Sequence, residues 1–428
     1  MFELYLLTFN CARNLVNPET LAPPLFDALP SDAPVPDILA ISLQEIAPIA
    51  YSFLGGSFLT PYYDQLTATV QLAAKLRSHG NETLEHVATR SLGMTALMLF
   101  AKPQVAERIQ WIQSAGAGVG VWNMGNKGAV AMRIGVSSRS TDEVLPITFT
   151  AAHLAPMEGN VEARNEDWKN IVSNLVFINN DSSGYSSAEE VPLLASPAQP
   201  PPDDKGLFID GSPVFFAGDL NYRTSDQPPN PKSHHSYPQP AQSDSSARHY
   251  SHLLKQDQLN REKEAHRTLH GLEELPVDFP PTYKYSTKEP SPAQGHKRTP
   301  STQEDEWRWA KHRYPSWCDR ILYLPASHSS RKLEAFKYTA LPVQATSDHR
   351  PVALSVRLDE ERVPVSRPFE APFPINPDWR PRRDSARRLE VIVGILSYLA
   401  LTKKGNAMIV AVFGVAFASW WAGVHLAR

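Results

Sequence analysis

Asn10, Glu45, His153, Asp219, Asn221, Asp319, Asp348 and His349 each sit beside a short apolar run, and all are able to bind a cation or move a proton. Most of them offer oxygen. Carboxylates and amide oxygens suit a hard ion such as Mg²⁺, which binds through a few carboxylates and keeps positions open for water and phosphate oxygens. Zinc would call for more His or Cys, and the chain has two cysteines, Cys11 and Cys318. Neither lies in a basic, phosphate-cradling loop, which excludes a thiolate nucleophile for phosphoryl chemistry. An Asp or His near a hard ion can activate water against phosphorus, while Lys and Arg neutralise the phosphoryl oxygens.

Positioning such side chains takes rigid elements, and the sequence repeats one grammar: a strand-length apolar run that stops at a polar residue. LYLLTFN stops at Asn10, DILAISLQE at Glu45, PITFTAAH at His153 and PVFFAGDLN at Asp219 and Asn221. Buried strands that deliver side chains to one sheet end are how α/β enzymes assemble a site from distant sequence. Further strands are predicted at 95–102, 128–136, 319–326 and 351–358. Trp168, Ile171, Val172, Leu175 and Ile178 fall at helical spacing, so a core-facing helix is predicted there. A second helix is predicted over 247–274. Stretches 181–206, 225–246 and 286–303 are rich in Pro, Ser, Gln and Asp and read as mobile surface loops.

With 428 residues and 42% hydrophobic content, the chain can bury a substantial core, which excludes disorder throughout. Lys and Arg (42) nearly balance Asp and Glu (45), for a net charge of −3, so global charge gives no support for a nucleic-acid-coating protein. Any affinity for anions must be local. Two cysteines make no disulfide framework and suit a reducing compartment.

The ends differ. MFELYLLTFN lacks a basic leader and reads as a core strand rather than a signal peptide. Residues 407–427 contain no Asp, Glu, Lys or Arg, and about 20 apolar residues cross a bilayer as a helix. One membrane span is expected there, and Trp420 and Trp421 suit the far interface. Arg380, Arg382, Arg383, Arg387, Arg388, Lys403 and Lys404 precede it, a cationic cluster that favours the cytosolic face and anionic head groups. The run at 389–401 is short for a span and reads as interfacial, or as half of a hairpin. The expected organisation is a catalytic domain over 1–360, a basic Pro/Arg-rich linker over 361–388 and a hydrophobic tail over 389–428, as in a tail-anchored protein.

The ordered motifs LLTFN (6–10), SLQE (42–45), GNKGAV (125–130), HLAPMEGNVEARNEDW (153–168), GDLNYR (218–223), PPTYKY (280–285), PSWCDRILY (315–323) and TSDHRPV (346–352) resemble those of the inositol polyphosphate 5-phosphatases. These belong to a superfamily of Mg²⁺-dependent phosphoesterases that also holds DNase I-like and apurinic endonucleases. The resemblance implies a four-layer α/β sandwich, with two mixed β-sheets flanked by helices and the site at one edge. It implies Glu45 as the principal Mg²⁺ ligand, supported by Asn10, with Asp348 beside them. Asp219 would orient or deprotonate the attacking water and Asn221 would hold a phosphoryl oxygen. His349 would contact the scissile phosphate, oriented by Asp319, and His153 would donate from the opposite side. Tyr283, Lys284, Lys311 and Arg313 fit the element for a 4-phosphate, with Asn126, Lys127, Arg164 and Asn165 expected at the same cleft. Where the family often carries a second His after HLAA, this chain has Pro156 and Met157.

The expected activity is Mg²⁺-dependent removal of the 5-phosphate from phosphatidylinositol 4,5-bisphosphate at a cytosolic membrane face, with the lipid and the membrane as partners and no nucleic acid. A short, modestly hydrophobic span is compatible with the thin endoplasmic-reticulum bilayer. The alternatives are a nuclease or sphingomyelinase of the same superfamily, against which PPTYKY and KHRYP argue, and a non-catalytic phosphoinositide-binding tether, against which the intact acidic set argues.

Overall fold

Alternation in the first strand sets the architecture. In β1 (Phe2–Asn10), Phe2, Leu4 and Leu6 face one core while Tyr5, Leu7 and Phe9 face another. A strand buried on both faces belongs in the middle of a layered fold. The computed structural model describes every residue except 140–142, 180–201, 203–204, 241–244, 247, 287–305, 365–368 and 427–428. The loops expected at 181–206 and 286–303 therefore lie largely outside the described residues.

The other strands are β2 (Ile38–Gln44), β3 (Glu85–Leu92), β4 (Thr95–Ala101), β5 (Ile109–Gly118), β6 (Gly128–Ser137), β7 (Val144–His153), β8 (Ile178–Asn179), β9 (Val214–Asp219), β10 (Asp319–Tyr323), β11 (Arg331–Ala340) and β12 (Val352–Arg362). They form two six-stranded sheets, ordered β11-β12-β1-β2-β4-β3 and β10-β9-β7-β6-β5-β8. Both are mixed: β1 runs parallel to β2 and antiparallel to β12, and β7 runs parallel to β9 and antiparallel to β6. The α-helices are α1 (Pro18–Leu21), α2 (Ile49–Leu54), α3 (Thr60–Arg77), α4 (Pro103–Ala106), α5 (Val161–Asn174), α6 (Ser251–Leu254), α7 (Gln258–Glu264), α8 (Ala326–Ser329), α9 (Trp379–Leu401) and α10 (Lys403–Leu426).

Four layers result. The central core lies between the sheets and includes Leu4, Leu6, Ile38, Met132, Ile134, Phe149, Phe215, Ile321 and Leu354. Leu66, Val70, Ala73 and Ala74 of α3, one stripe at helical spacing, cover the outer face of the first sheet. Trp168, Ile171 and Val172 of α5 cover the second. Each buried aliphatic or aromatic side chain contributes about 1.5–3 kcal/mol relative to exposure.

Several expectations need correction. Helix α5 ends at Asn174; Leu175 still packs in the same core, but Ile178 belongs to β8 and pairs opposite Ser114 of β5. The long helix expected over 247–274 is instead two short ones. Leu253 and Leu254 pack on the inter-sheet core, whereas Leu259, Leu269 and Leu272 enter the outer core of the second sheet, which one straight helix could not reach. Asp257 breaks it, capping α7 through the Asn260 N–H and pairing with buried Arg320. The 225–246 stretch is anchored at 237–239, where Trp309 Nε1 donates to the Pro238 carbonyl at 2.7 Å, Gln239 pairs with Trp307 and Tyr237 is buried, while 226–228, 230–232 and 235–236 are exposed as expected of a surface loop. Helix α9 begins inside the stretch expected as a basic linker, at Trp379.

Candidate active site

Residue parity brings the polar strand ends together. Asn10 shares its side of β1 with Leu4 and Leu6, His153 its side of β7 with Phe149 and Ala151, Asp219 its side of β9 with Phe215 and Ala217, and Asp319 its side of β10 with Ile321. All of these point between the sheets, so the core turns polar at one edge. Register aligns them further: Asp319 pairs opposite Asp219, and Asp219 opposite His153, across three adjacent strands. The facing sheet adds a seam in which Thr8 donates to Gln44, Gln44 to Ser42 and Ser42 to the Ala217 carbonyl. Asn10 Nδ2 closes the gap by donating to Asp219 Oδ2 at 2.9 Å.

Asp219 is the hub. Oδ2 also lies 3.1 Å from His153 Nε2 and 3.9 Å from His349 Nε2, and Oδ1 accepts the Asn221 N–H at 3.1 Å. Burial opposes its charge, but His153, His349 and Lys127 hold its carboxyl far below the usual range. His349 Nδ1 donates to Asp319 Oδ2 at 2.8 Å, which leaves Nε2 toward Asp219 and toward Asp348 Oδ1 at 3.9 Å. Burial would lower the His349 pKa, yet Asp319, Asp219 and Asp348 push it up to about 9. The ring is therefore an imidazolium at neutral pH, a donor for an anion. Burial raises Asp319 to about 6 against the pull of His349. Donor atoms of Asp219, Asp319 and His349 lie within 4.8 Å of one another, all buried.

The remaining acids divide into two flanks. Glu45, on a left-handed backbone (φ 45°), meets Arg13 at 3.2 Å and Lys127 at 3.9 Å. Lys127 Nζ also lies against the His153 ring, 3.3 Å from Nδ1, and burial lowers its pKa although Asp219 and Glu45 oppose that. On the other flank Asp348 Oδ2 is bonded by Lys284, and burial, outweighed by His349 and Lys284, leaves its carboxyl lowered. Asp348 thus sits with a cation of its own, apart from the Glu45 side.

Among the expected substrate contacts, the Tyr283 ring centroid lies 4.5 Å from that of His349, and the Arg223 guanidinium lies over the Tyr283 ring at 4.4 Å. The Lys284 carbonyl accepts the Ala310 N–H, which brings the Lys311–Arg313 run alongside. Lys311 is exposed, and Arg313 faces Glu158 at 3.4 Å and Met157 Sδ at 3.1 Å. Asn126 Oδ1 is buried without a hydrogen-bond partner. Arg164 and Asn165 do not reach the cleft. Arg164 is fully buried and braces the chain after His153, donating to the carbonyls of Ala155, Met157 and Glu158 and to Gln258. Asn165 bonds Glu262 and Tyr222 on the outer side of the second sheet. The Asn221 amide donates from Nδ2 to the Leu154 carbonyl and accepts from Arg223 at Oδ1, which fixes its orientation and leaves one Nδ2–H for another acceptor.

Three supporting residues escape a reading based on acids and histidines. Thr282 donates to Asp319 Oδ2 at 2.7 Å, Ser347 donates to the Asn10 carbonyl at 2.6 Å while accepting the His349 N–H, and Arg223 holds Asn221. Each lies inside a quoted motif, and Ser347 and Arg223 stand two residues from the one they support, a signal that could have found them; Thr282 lies 37 positions from Asp319 and carries no such signal.

This edge fits a hard cation. Carboxylate and amide oxygens dominate, Asp319 Oδ1 is buried with no hydrogen-bond partner, and the Lys127 ammonium is drawn in between Glu45 and His153.

Fold and site together define a class. The chain belongs to the Endonuclease/Exonuclease/phosphatase family 2, whose model matches residues 7–355. Within it, the chain is similar to the type II inositol polyphosphate 5-phosphatase 14 of Arabidopsis thaliana (26% identical, over 74% of this chain and 27% of that protein) and to synaptojanin of Caenorhabditis elegans (27%, over 78% and 24%). It is also similar to the mouse type II inositol 1,4,5-trisphosphate 5-phosphatase (29%, over 60% and 21%). The chain spans about a quarter of the length of these curated relatives. In fold it is similar to the inositol polyphosphate 5-phosphatase domain of SpSynaptojanin, solved in complex with inositol (1,4)-bisphosphate and calcium ion (TM-score 0.58, 22% identity, 91% of this chain and 90% of that one).

Proposed function

We propose that this chain is a phosphoric monoester hydrolase that removes the 5-phosphate of phosphatidylinositol 4,5-bisphosphate, with Mg²⁺, at the cytosolic face of a membrane. The observation that carries the reading is the His349–Asp319 pair set 3.9 Å from Asp219 at an edge lined by Lys127 on one side and Lys284 on the other. Glu45 and Asn10 would hold Mg²⁺, with Asp219 and the open oxygen of Asp319 nearby. When bound, the ion supplies a Lewis acid for a phosphoryl oxygen and an acidified water.

The chain's own groups do the rest. Asp219, held so acidic, is a weak base, so it orients the attacking water by accepting its hydrogen bond rather than by taking its proton. His349 presents an imidazolium Nε2–H to the phosphoryl oxygen on which charge develops, and Asp319 fixes that ring through Nδ1. Lys127 and His153 face the same centre from the opposite side. Lys284, Lys311 and Arg313 neutralise the neighbouring 4-phosphate, with Tyr283 as the wall between the two phosphates.

The catalytic unit is about 1–360, and the segment beyond it tethers the unit to the bilayer. Helix α10 supports this: Lys403–His425 is long and apolar enough to span and is unburied against the domain. Tethering raises the effective concentration of lipid head groups and favours a lipid over a soluble substrate. A span of this length suits the endoplasmic reticulum. Phosphate release from a panel of inositol phosphates and phosphoinositides, with and without EDTA, tests the proposal. Release from the 4,5-bisphosphate lipid that EDTA abolishes and Mg²⁺ restores is expected. Nicking of abasic duplex DNA without any phosphate release would overturn it.

A further inference from the structure

The exposed and buried faces of α9 do different things. Its buried face docks on the catalytic unit: Arg387 donates to the Phe53 carbonyl at 2.8 Å, Gly394 sits against Phe53 and Leu54, and the Tyr398 ring lies 5.5 Å from that of Phe58. A Cβ at Gly394 would come within 3.1 Å of Phe53 Cβ, so α9 packs closely on α2 there and a side chain would have to push α2 aside by a few tenths of an ångström. In the middle of that face, Glu390, 2% exposed, accepts the Gly125 N–H at 2.7 Å.

Gly125 opens the loop whose next residues are Asn126 and Lys127. From the other side, the Gly125 carbonyl accepts the Met94 N–H at 2.9 Å, and the Met94 carbonyl accepts the N–H of Ile46, the residue after Glu45. One carboxylate on α9 thus terminates a backbone chain that ends beside Glu45. Burying a carboxylate is costly unless it is bonded, and Glu390 is satisfied by Gly125 and by Arg387 at 3.2 Å.

The outward face changes character along the helix. Arg380, Arg382 and Arg388 are exposed on its first half, and Ile392, Ile395 and Leu396 on its second, 46–61% exposed. Asp378 and Asp384 lie among the arginines, so the surface keeps a positive excess. The exposed pair Lys403 and Lys404 then opens α10. A helix that adjoins a membrane span across an extended Thr402, cationic and then apolar on its outward side, fits the surface of an anionic bilayer.

We propose that α9 is a lipid-facing strut that positions the Gly125–Lys127 loop, with Glu390 as the positioning residue. The kinetic arm of the test rests on the phosphatase reading above; the other arms do not. The full chain is reconstituted in phosphatidylcholine vesicles containing phosphatidylserine. Glu390→Ala is expected to speed amide exchange over 121–127 about tenfold, and to lower kcat on soluble inositol 1,4,5-trisphosphate about tenfold with KM within about twofold. Glu390→Gln, whose amide oxygen can still accept from Gly125, is expected to restore both. Because Cys11 and Cys318 are buried, an environment-sensitive dye on Leu396→Cys labels one site, and its emission is expected to shift blue in vesicles. Unchanged exchange in Glu390→Ala, a glutamine variant as impaired as the alanine one, or dye emission characteristic of water overturns the strut. A wild type that releases phosphate from neither inositol phosphates nor the 4,5-bisphosphate lipid sinks the phosphatase reading and leaves the exchange and dye arms to decide the strut.

Discussion

The strand-end edge and the loop-built rim solve the same problem of holding polar groups in opposite ways. At the edge, Asn10, His153, Asp219 and Asp319 are almost completely buried; register sets Asp219 opposite His153 and Asp319, Asn10 and His153 meet the Asp219 carboxylate, and Asp319 bonds His349. At the rim, Lys284, Lys311 and Arg313 come from irregular chain, and Lys311 reaches solvent. A buried network is costly to leave half satisfied, so the edge is rigid and intolerant. A solvated cation contributes little to stability and is free to act on a ligand. On the proposed function, the comparison teaches that reaction chemistry and substrate selection fall to parts of the molecule with different physical constraints.

The largest effect expected is at the hub. Asp219→Asn is isosteric but removes the charge that meets both histidines, and phosphate release is expected to fall at least about 10³-fold, or roughly 4 kcal/mol of barrier. The melting temperature should fall as well, because the buried His349 loses a counter-charge, and near-wild-type turnover would break the contrast between edge and rim. His349→Ala is expected to cost on the order of 10²–10³-fold in kcat. Adding Asp319→Asn to it should cost little more, since Asp319 acts through that ring; full additivity would show that Asp319 works independently.

A smaller effect distinguishes the rim. Lys311→Ala with Arg313→Ala is expected to raise KM about tenfold for substrates that carry a 4-phosphate, with kcat nearly unchanged. An equal loss on a substrate lacking the 4-phosphate would remove these residues from selection.

The smallest effect is a pH dependence of stability in EDTA. Folded His349 keeps its proton to about pH 9, whereas an unfolded histidine loses it near about 6.5. Its stabilisation is therefore fully present below about pH 6.5 and is lost as pH rises through about 9. The melting-temperature advantage of wild type over His349→Gln should shrink across that window. An advantage that grows with pH would mean that the ring is neutral in the fold.

Arg164 and Lys127 show how far sequence reading reaches. Both are cations inside quoted motifs, and spacing alone cannot separate them. Lys127 enters the acidic edge, while Arg164, one helical face away on α5, turns under the 155–158 chain to satisfy its carbonyls. The same limit appears at 247–274, where leucines that look like one stripe serve two different cores. It appears again in α9, read as interfacial from its apolar run, with no sign in the sequence that Glu390 would reach Gly125, 265 positions away.

Local rules did determine a good deal. Strand-length apolar runs in β1, β2, β7 and β9, each stopping at a polar residue, dictate buried strands with chemistry at one end; parity turns Asn10, His153 and Asp219 inward, whereas Glu45 has the opposite parity and sits on a left-handed backbone. Which strands lie side by side, which acid takes which cation, and which polar residue braces a loop instead of facing the cleft were decided only by the tertiary structure. These are matters of distance between segments hundreds of residues apart, and a dielectric environment that shifts His349 and Asp219 in opposite directions does not exist until both sheets have closed over them.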